Sequence, residues 1–153
     1  MMVPKQDSFS IKNKKARFDY FIYDKYEAGI ALQGGEIKSI RVGKANLVDS
    51  YVRFNGKEAF VVNMHISPYT VAANKYYDPR RSRKLLLHKA EIRKLSGQVS
   101  QKGYAVVPLQ LYFRKGKAKL EIALCKGKKR HDKRETLRRK AHEREIERVL
   151  RKR

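Results

Sequence analysis

An excess of positive charge limits what this chain can become. It carries 38 lysine and arginine residues against 15 aspartate and glutamate residues, a formal net charge of +23 over 153 residues. Such a protein attracts polyanions, so nucleic acid is the leading class of partner and an anionic membrane surface a distant second. A hydrophobic share of 41% is still enough for one core, and the length suits one compact domain with an appendage.

Several classes of protein are disfavoured by what the sequence lacks. Its uncharged apolar stretches, such as residues 85–87, span only a few positions, whereas a membrane span needs about 20. Polar residues within positions 1–10 argue against a signal peptide, so we expect a cytoplasmic protein. The single cysteine, Cys125, fits a reducing compartment. Since the four histidines have no metal-ligand spacing, we predict no metal and no other cofactor.

The composition changes toward the C-terminus. Residues 1–125 hold 24 basic and 10 acidic residues, whereas residues 126–153 hold 14 and 5, a net of +9. This last stretch has few large apolar side chains, so it cannot offset its ordering entropy and we predict disorder in isolation. It has no Gly or Pro after Gly127, and acid-first pairs such as Glu135 with Arg139 favour a helix. We therefore predict a body, 1–125, and a basic tail, 126–153, that becomes helical when bound; a solvated spacer helix is the alternative.

The body is predicted to be mainly β. Residues 17–32 are dense in aromatic and β-branched side chains, as strands prefer. Asn55-Gly56 between two strand-like segments is a strong hairpin signal, and a second hairpin is predicted to turn at residues 115–117. Helix-like spacing predicts short helices over residues 36–42 and 85–95. Several short strands with two helices indicate a small closed or partly closed barrel.

Motifs that could carry chemistry lack a required residue. Residues 29–34 begin like a phosphate-binding P-loop, but Gly35 and Glu36 stand where Lys and Ser or Thr are needed. A later strand opens like an RNA-recognition motif without its stacking rings, so a plain core strand is favoured. Asp24 and Glu27 could form a carboxylate pair but have no companion nucleophile. We therefore predict no catalytic site and no small-molecule substrate.

Basic clusters supply the positive indication of function. Four lie outside the tail, at residues 13–17, 41–44, 80–84 and 115–119. Nine tyrosines and six phenylalanines are available to stack on bases, and with the clusters they favour RNA binding. Without a zinc finger or an obvious helix-turn-helix, sequence-specific DNA binding is less favoured.

Six segments, the last in two parts, resemble the SsrA-binding protein (SmpB) family, whose members bind transfer-messenger RNA in bacterial trans-translation. They run in the family order from about Asn13 to Arg134. A small departure is Ala105, where the family more often carries Thr. The segments are NKKA at 13–16, YEAGI at 26–30, GEIKSIR at 35–41, DSY at 49–51, RKLLLH at 83–88, and KGKK at 126–129 with HDKR at 131–134.

The resemblance implies an oligonucleotide-binding (OB) type antiparallel β-barrel with short accessory α-helices, in agreement with the strand pattern. It also implies that the body binds the tRNA-like end of the RNA. Lysines would attract phosphates, Asn13 and Glu27 would read ribose or base edges, and Leu86 would contact an unstacked base unless it lies in the core. The implied RNA-binding residues are Asn13, Lys14, Lys15, Glu27, Leu86 and Lys119.

The resemblance implies that the tail enters the decoding centre and empty mRNA channel of a stalled ribosome, where it stands in for codon–anticodon pairing. Its lysines would contact phosphates and His131 would stack on an rRNA base. Asp132 is predicted to be the N-cap of the tail helix, with Glu135 three residues on. The implied ribosome contacts are Lys128, Lys129, His131, Asp132, Lys133 and Arg134.

We therefore predict a non-enzymatic RNA-binding adaptor of ribosome rescue, with transfer-messenger RNA and the ribosome as partners. A ribosomal or ribosome-assembly protein that binds rRNA is the alternative, and it would bind every ribosome stoichiometrically. An RNA-processing enzyme is a further alternative, and it would turn over RNA.

Overall fold

The computed structural model describes residues 10–69, 76–101 and 103–151, within which the chain forms nine strands and four helices. Residues 1–9, where we predicted no signal peptide, lie outside the described residues. No helix of the described ranges is long and apolar enough to cross a membrane. In chain order the elements are β1 Ser10–Lys12, α1 Lys14–Asp19, β2 Tyr20–Ile30, α2 Gly34–Arg41, β3 Ala45–Asn46, β4 Tyr51–Asn55, β5 Glu58–Val62, β6 His65–Ile66, β7 Arg83–Leu86, α3 Lys89–Val99, β8 Tyr104–Arg114, β9 Lys117–Gly127 and α4 Arg130–Arg151.

Seven strands form one antiparallel sheet in the order β1-β8-β9-β2-β7-β5-β4. The last strand in this order, β4, packs against β8, so the sheet curls round into a barrel. Strands β3 and β6 pair separately, and α1 and α3 pack against β8. The predicted mainly β fold with short accessory helices is confirmed.

Both predicted hairpins are confirmed. Strands β4 and β5 turn at Gly56, which has a φ of 60°. Strands β8 and β9 are joined by Lys115 and Gly116, with φ of 51° and 75°, as a two-residue type I′ turn requires. Because this turn matches the natural strand twist, β8 and β9 pair along almost their whole length, and β9 pairs in turn with β2.

Two apolar clusters lie on opposite faces of β8 and β9. Val107, Leu109, Ala123 and Cys125 pack beneath α1. Burial raises the pKa of the Cys125 thiol to about 12, so this cysteine is a small core residue, as predicted, and not a reactive thiolate. The barrel interior is filled by the larger cluster, which includes Ala28, Ile30, Ile40, Leu47, Val52, Val61, Met64, Ile66, Leu85, Leu95, Val106, Leu111, Phe113, Leu120, Ile122 and Leu124.

Two predicted elements are placed differently by the structure. Arg17, assigned to the first strand, lies in α1, because the Asn13 side chain accepts a hydrogen bond from the Ala16 N–H and caps a helix there. Leu85 and Leu86, assigned to a helix, lie in β7 between β2 and β5. Pairing with strands on both sides decides their conformation, and leucine spacing alone does not carry that information.

The interior also contains a buried ion pair. Arg83, which the sequence places in the basic cluster at 80–84, is 0% exposed and is therefore not part of a basic surface. The alternation of β7 turns it inward, where its Nε donates to Glu36 Oε2 at 2.6 Å and its Nη1 donates to the Met64 carbonyl at 2.7 Å. Arg81 pairs with the same carboxylate from the protein surface. The pair therefore joins α2, β7 and the end of the β5–β6 connection.

We predict that Glu36→Gln lowers the free energy of unfolding by about 3–5 kcal/mol, because it leaves the buried Arg83 without its countercharge. Urea unfolding at neutral pH measures the loss. The control is Glu58→Gln, whose partner Lys84 lies 3.4 Å away with half of both side chains exposed, and it should cost less than about 1 kcal/mol. Equal losses in the two variants would contradict the role assigned to the buried pair.

The same pair makes stability depend on pH. Burial alone would raise the pKa of Glu36, but hydrogen bonds from Arg81, the Gln33 N–H and Arg83 outweigh it and hold that pKa below its ordinary value of 4.5. A carboxyl group with a lowered pKa stabilises the fold fully above the unfolded-state value, and this contribution is lost as pH falls through the folded-state value. The stability difference between wild type and Glu36→Gln should therefore shrink as the pH falls below 4.5. Denaturant unfolding at stepped pH tests this, and a difference that grows toward acid would overturn it.

Candidate nucleic-acid interface

The N-terminus of α1 presents lysines beside the barrel. Asn13 is only 3% exposed, its Oδ1 accepts the capping hydrogen bond, and its Nδ2 donates to the Pro108 carbonyl at 2.9 Å. Lys14 is exposed, and Lys15 Nζ lies 3.0 Å from Asp49 Oδ1, a hydrogen bond that raises the pKa of Lys15. Asn13 therefore lies inside the protein, where its hydrogen bonds hold the turn that carries the two lysines, which we call the α1 turn.

Three other predicted residues come together on one face of the sheet. Gly29 of β2 pairs with Leu86 of β7 on one side and with Lys119 of β9 on the other. Directly opposed residues of antiparallel strands project to the same face, and Glu27 lies two positions from Gly29 on that face. We call Glu27, Leu86 and Lys119 the sheet patch.

The leucine of the sheet patch faces solvent. Leu86 is 58% exposed, which rules out the core placement that the sequence left open. A Cβ at position 29 would lie 3.1 Å from the Leu86 Cβ, so the missing side chain of Gly29 lets the leucine lie close across β2. The result is an accessible apolar side chain beside a lysine.

The carboxylate of the sheet patch is held by two partners from β8. The Tyr112 hydroxyl donates to Glu27 Oε2, and Arg114 Nη1 lies 3.0 Å from the same oxygen. Burial and then the hydrogen bond to Glu27 raise the pKa of Tyr112, so the hydroxyl keeps its proton and remains a donor. The Glu27 side chain is still partly exposed, which leaves a fixed acceptor at the surface.

The two lysine-bearing regions are close together along β8. The Asn13 N–H donates to the Leu109 carbonyl at 2.8 Å, and Tyr112, the cross-strand partner of Lys119, lies three residues further along β8, roughly 10 Å away. The α1 turn and the sheet patch therefore occupy neighbouring positions on the barrel wall.

The tail helix begins earlier than the sequence predicts. Asp132 was predicted to be the N-cap, but α4 starts at Arg130, so that prediction is wrong. Asp132 Oδ2 instead accepts a hydrogen bond from the Lys129 N–H at 3.2 Å, which is the reach-back that a capping box places at the third helical position. Glu135, expected to complete the capping box, lies 3.3 Å from His131 Nε2.

The first turns of α4 rest on the body. The Lys128 N–H donates to the Asp19 carbonyl at 2.8 Å, and the Lys133 ammonium lies 3.2 Å from Asp19 Oδ1. Thr136 is buried, and its hydroxyl accepts a hydrogen bond from Lys128 Nζ at 2.9 Å. Sequence reasoning missed Asp19, because a contact between α1 and α4, which are far apart in the chain, leaves no periodic signal in either helix. It also missed the burial of Thr136.

The tail divides by exposure. Within the described ranges no group of three or more His, Cys, Asp or Glu side chains is placed to hold a metal ion. Large apolar side chains of α4 beyond the docked turns, such as Leu137 and Leu150, are exposed. Of the predicted ribosome contacts, Lys129, His131 and Arg134 are exposed, and Lys128, Asp132 and Lys133 are partly covered.

The fold and these surfaces define a small, strongly basic β-barrel protein with a helical C-terminal extension. A family model described as SmpB protein matches residues 10–152. The chain belongs to the SmpB protein family.

The similarity of the chain to individual relatives is consistent with membership of this family. The chain is 55% identical over 142 residues to the SsrA-binding protein of Geobacillus thermodenitrificans (strain NG80-2), with 93% of this chain and 92% of the relative covered. It is 51% identical over 150 residues to the SsrA-binding protein of Halothermothrix orenii (strain H 168 / OCM 544 / DSM 9562), with 97% of each covered. A solved chain described as "tmRNA-SmpB: a journey to the center of the bacterial ribosome" has a TM-score of 0.69 and 47% identity, with 85% of this chain and 95% of that chain covered.

Proposed function

We propose that this protein binds transfer-messenger RNA through its barrel and acts with it on stalled ribosomes in trans-translation. The observation that carries the proposal is the sheet patch, where an exposed leucine and a lysine lie in one row beside an ordered carboxylate. Membership of the SmpB family, and likeness to a solved chain whose description names tmRNA, support this choice of RNA.

The sheet patch has the chemistry to bind an unstacked nucleotide. Leu86 offers an apolar contact to the base, and Lys119 offers a point charge to a phosphate. Glu27 accepts a hydrogen bond from a base amino group or a ribose 2′-hydroxyl. Because Tyr112 and Arg114 already fix this carboxylate, less side-chain entropy is lost on binding.

The α1 turn extends this surface. Lys14 and Lys15 supply further phosphate contacts, and Asn13 contributes by holding the turn rather than by touching RNA, because its side chain is buried and hydrogen-bonded internally. Lys15 is ion-paired with Asp49 while both side chains are exposed. Such a pair is weak, so a phosphate can replace the aspartate.

The tail, in this proposal, occupies the decoding centre and the empty mRNA channel. Its lysines and Arg134 contact phosphates, His131 stacks on an rRNA base, and Asp132 stabilises the start of the helix. Lys133 exchanges Asp19 for an RNA phosphate when the tail is seated there. Ordering of a basic segment is most favourable where phosphates cancel the repulsion between its own charges. Disorder of the tail in the absence of RNA stays a prediction.

In this proposal the two predicted regions have different binding partners. The body, 1–125, carries the sheet patch, and the tail, 126–153, carries the ribosome contacts. The first two residues of this tail, Lys126 and Gly127, continue strand β9, and α4 starts at Arg130. The protein works as an adaptor, catalyses no reaction, needs no cofactor, and acts in the cytoplasm together with the ribosome.

We predict that Leu86→Ser weakens binding of the tRNA-like domain of transfer-messenger RNA roughly tenfold, because the apolar contact to the base is lost. Lys119→Ala should lower the slope of log affinity against log salt by about 0.7–0.9. Filter binding over a salt series measures both changes.

The control for these two variants is Lys38→Ala, at an exposed position of α2, which packs against β6, and it should leave the affinity unchanged. An equal effect of Lys38→Ala would make the attraction non-specific. Equal affinity of the wild type for rRNA fragments of the same length would favour the alternative, a ribosomal or ribosome-assembly protein.

We predict that Leu137→Pro abolishes most tag addition to stalled nascent chains in a reconstituted translation assay, while the body still binds the tRNA-like RNA. Proline in a helix interior costs about 3 kcal/mol and leaves the charge unchanged. Leu137→Ala is the control, because it removes the same exposed side chain and preserves the helix. Wild-type activity of the proline variant would mean that the tail acts as a charged tether.

A further inference from the structure

Aromatic and lysine side chains alternate across three strands at the end of β2 that lies next to the tail. Phe21 of β2 is paired with Lys126 of β9, and Lys126 is paired with Tyr104 of β8. Since directly opposed residues project to the same face, the three side chains form one row that reads aromatic, lysine, aromatic. We call these residues, with Tyr23, the tail-side aromatic surface.

A β-bulge adds a second accessible ring to this row. The β2–β9 register shifts between Ile22 and Asp24, so Tyr23 is the extra residue, and bulges of this kind re-aim a side chain. The Tyr23 ring centroid lies 5.9 Å from that of Tyr104, with the planes tilted by 55°. Phe21 is 43% exposed and Tyr23 is 54% exposed, so two rings are accessible beside a third.

The rings lie under two lysines that form no ion pair within the described part of the chain. Lys126 Nζ is 5.2 Å from the Tyr104 centroid, and Lys128 Nζ is 5.2 Å from the Phe21 centroid. Among the described residues, neither lysine has a carboxylate oxygen within 4.0 Å. Burial and then repulsion from Arg139 and Lys140 lower the pKa of Lys128. The local potential is therefore positive and open to an anion.

This surface is separate from the sheet patch. Phe21 and Glu27 are six residues apart on β2, roughly 20 Å. The bulge between them reverses the alternation, because Glu27 pairs with Glu121, whereas Phe21 pairs with Lys126 on the opposite face of β9. One nucleotide cannot span both surfaces.

We infer that the tail-side aromatic surface binds unpaired bases of a single-stranded RNA segment, at a second site that is distinct from the sheet patch and shares Lys128 with the proposed ribosome contacts. Bases stack on exposed aromatic rings, while lysines between the rings attract the phosphates that flank each base. An exposed cation–π contact is weak, so Lys126, which is exposed, can leave the Tyr104 ring for a phosphate. A membrane surface would need a contiguous apolar patch, which the interleaved lysines interrupt.

The probe is a ten-nucleotide single-stranded RNA with 2-aminopurine at its centre, titrated with the full-length protein. Stacking quenches the 2-aminopurine fluorescence. Tyr23→Ser and Phe21→Leu should each weaken binding about tenfold and reduce the quenching. The control is Tyr69→Ser, which removes another half-exposed tyrosine with a lysine, Lys38, 5.5 Å from its ring centroid, and it should bind like the wild type. Circular dichroism confirms that each variant is folded.

Several results would overturn the inference. Wild-type binding and quenching by Tyr23→Ser and Phe21→Leu would show that the rings do not hold a base. A loss in Lys126→Ala without any loss in the ring variants would reduce the surface to phosphate attraction. Poly-glutamate binding that is lost in the ring variants to the same degree would assign the surface to an acidic peptide.

A second RNA separates this inference from the proposed function. Leu86→Ser should weaken binding of the tRNA-like RNA and leave the ten-nucleotide probe unaffected, whereas Tyr23→Ser should do the reverse. If Tyr23→Ser weakens both RNAs equally, there is one RNA surface and the inference of a second site is wrong. If Leu86→Ser affects neither RNA, the sheet patch fails as a binding site, while the second site still stands.

Discussion

The ion pair between Glu36 and Arg83 is the constraint on which the rest of the barrel depends. Arg83 is enclosed and donates to the Met64 and Pro79 carbonyls as well as to the carboxylate, so segments that are distant in the chain meet at one guanidinium. Breaking such a pair leaves an uncompensated buried charge, which strongly disfavours any other placement of β7. With Arg83 turned inward, the alternation of β7 turns Leu86 outward, and the exposed leucine of the sheet patch follows from a core interaction.

Strand β2 connects the regions of the molecule that carry function. It pairs with β9 for most of its length and with β7 at its C-terminal end, so Glu27 lies beside the row through Gly29. At the N-terminal end the bulge at Tyr23 shifts the register by one. A one-residue shift exchanges the two faces of a strand, so Phe21 and Glu27 face opposite sides of the same sheet. A protein with one short barrel thereby presents two distinct surfaces, one beside the tail and one remote from it.

Charge and packing compete in the tail. Residues 126–153 carry a net charge of +9, which disfavours a compact arrangement in the absence of polyanions. The first turns of α4 lie against the body, where Lys133 pairs with Asp19 and Thr136 is buried. Apolar residues further along α4 are exposed. The lysine that anchors α4, Lys133, is also one of the proposed ribosome contacts. Docking of the tail on the body and binding of the tail to RNA therefore compete for the same ammonium group.

The sequence by itself determined the features whose causes are local. Asn55-Gly56 and the glycine at 116 specify hairpin turns through backbone conformation, the composition marks the basic tail, and ordered segments identify the family. Only the tertiary structure decided the features that depend on pairing between distant strands. Helical spacing in the leucine run after Arg83 was overridden by two neighbouring strands, and an arginine in a basic run was buried because a distant carboxylate faced it. The sequence leaves Asn13 open as a polar surface residue, whereas in the fold its side-chain amide donates a hydrogen bond to the Pro108 carbonyl. In each case the free energy that stabilises the observed conformation comes from a partner far away in the chain. Such a partner has no signature in the local sequence.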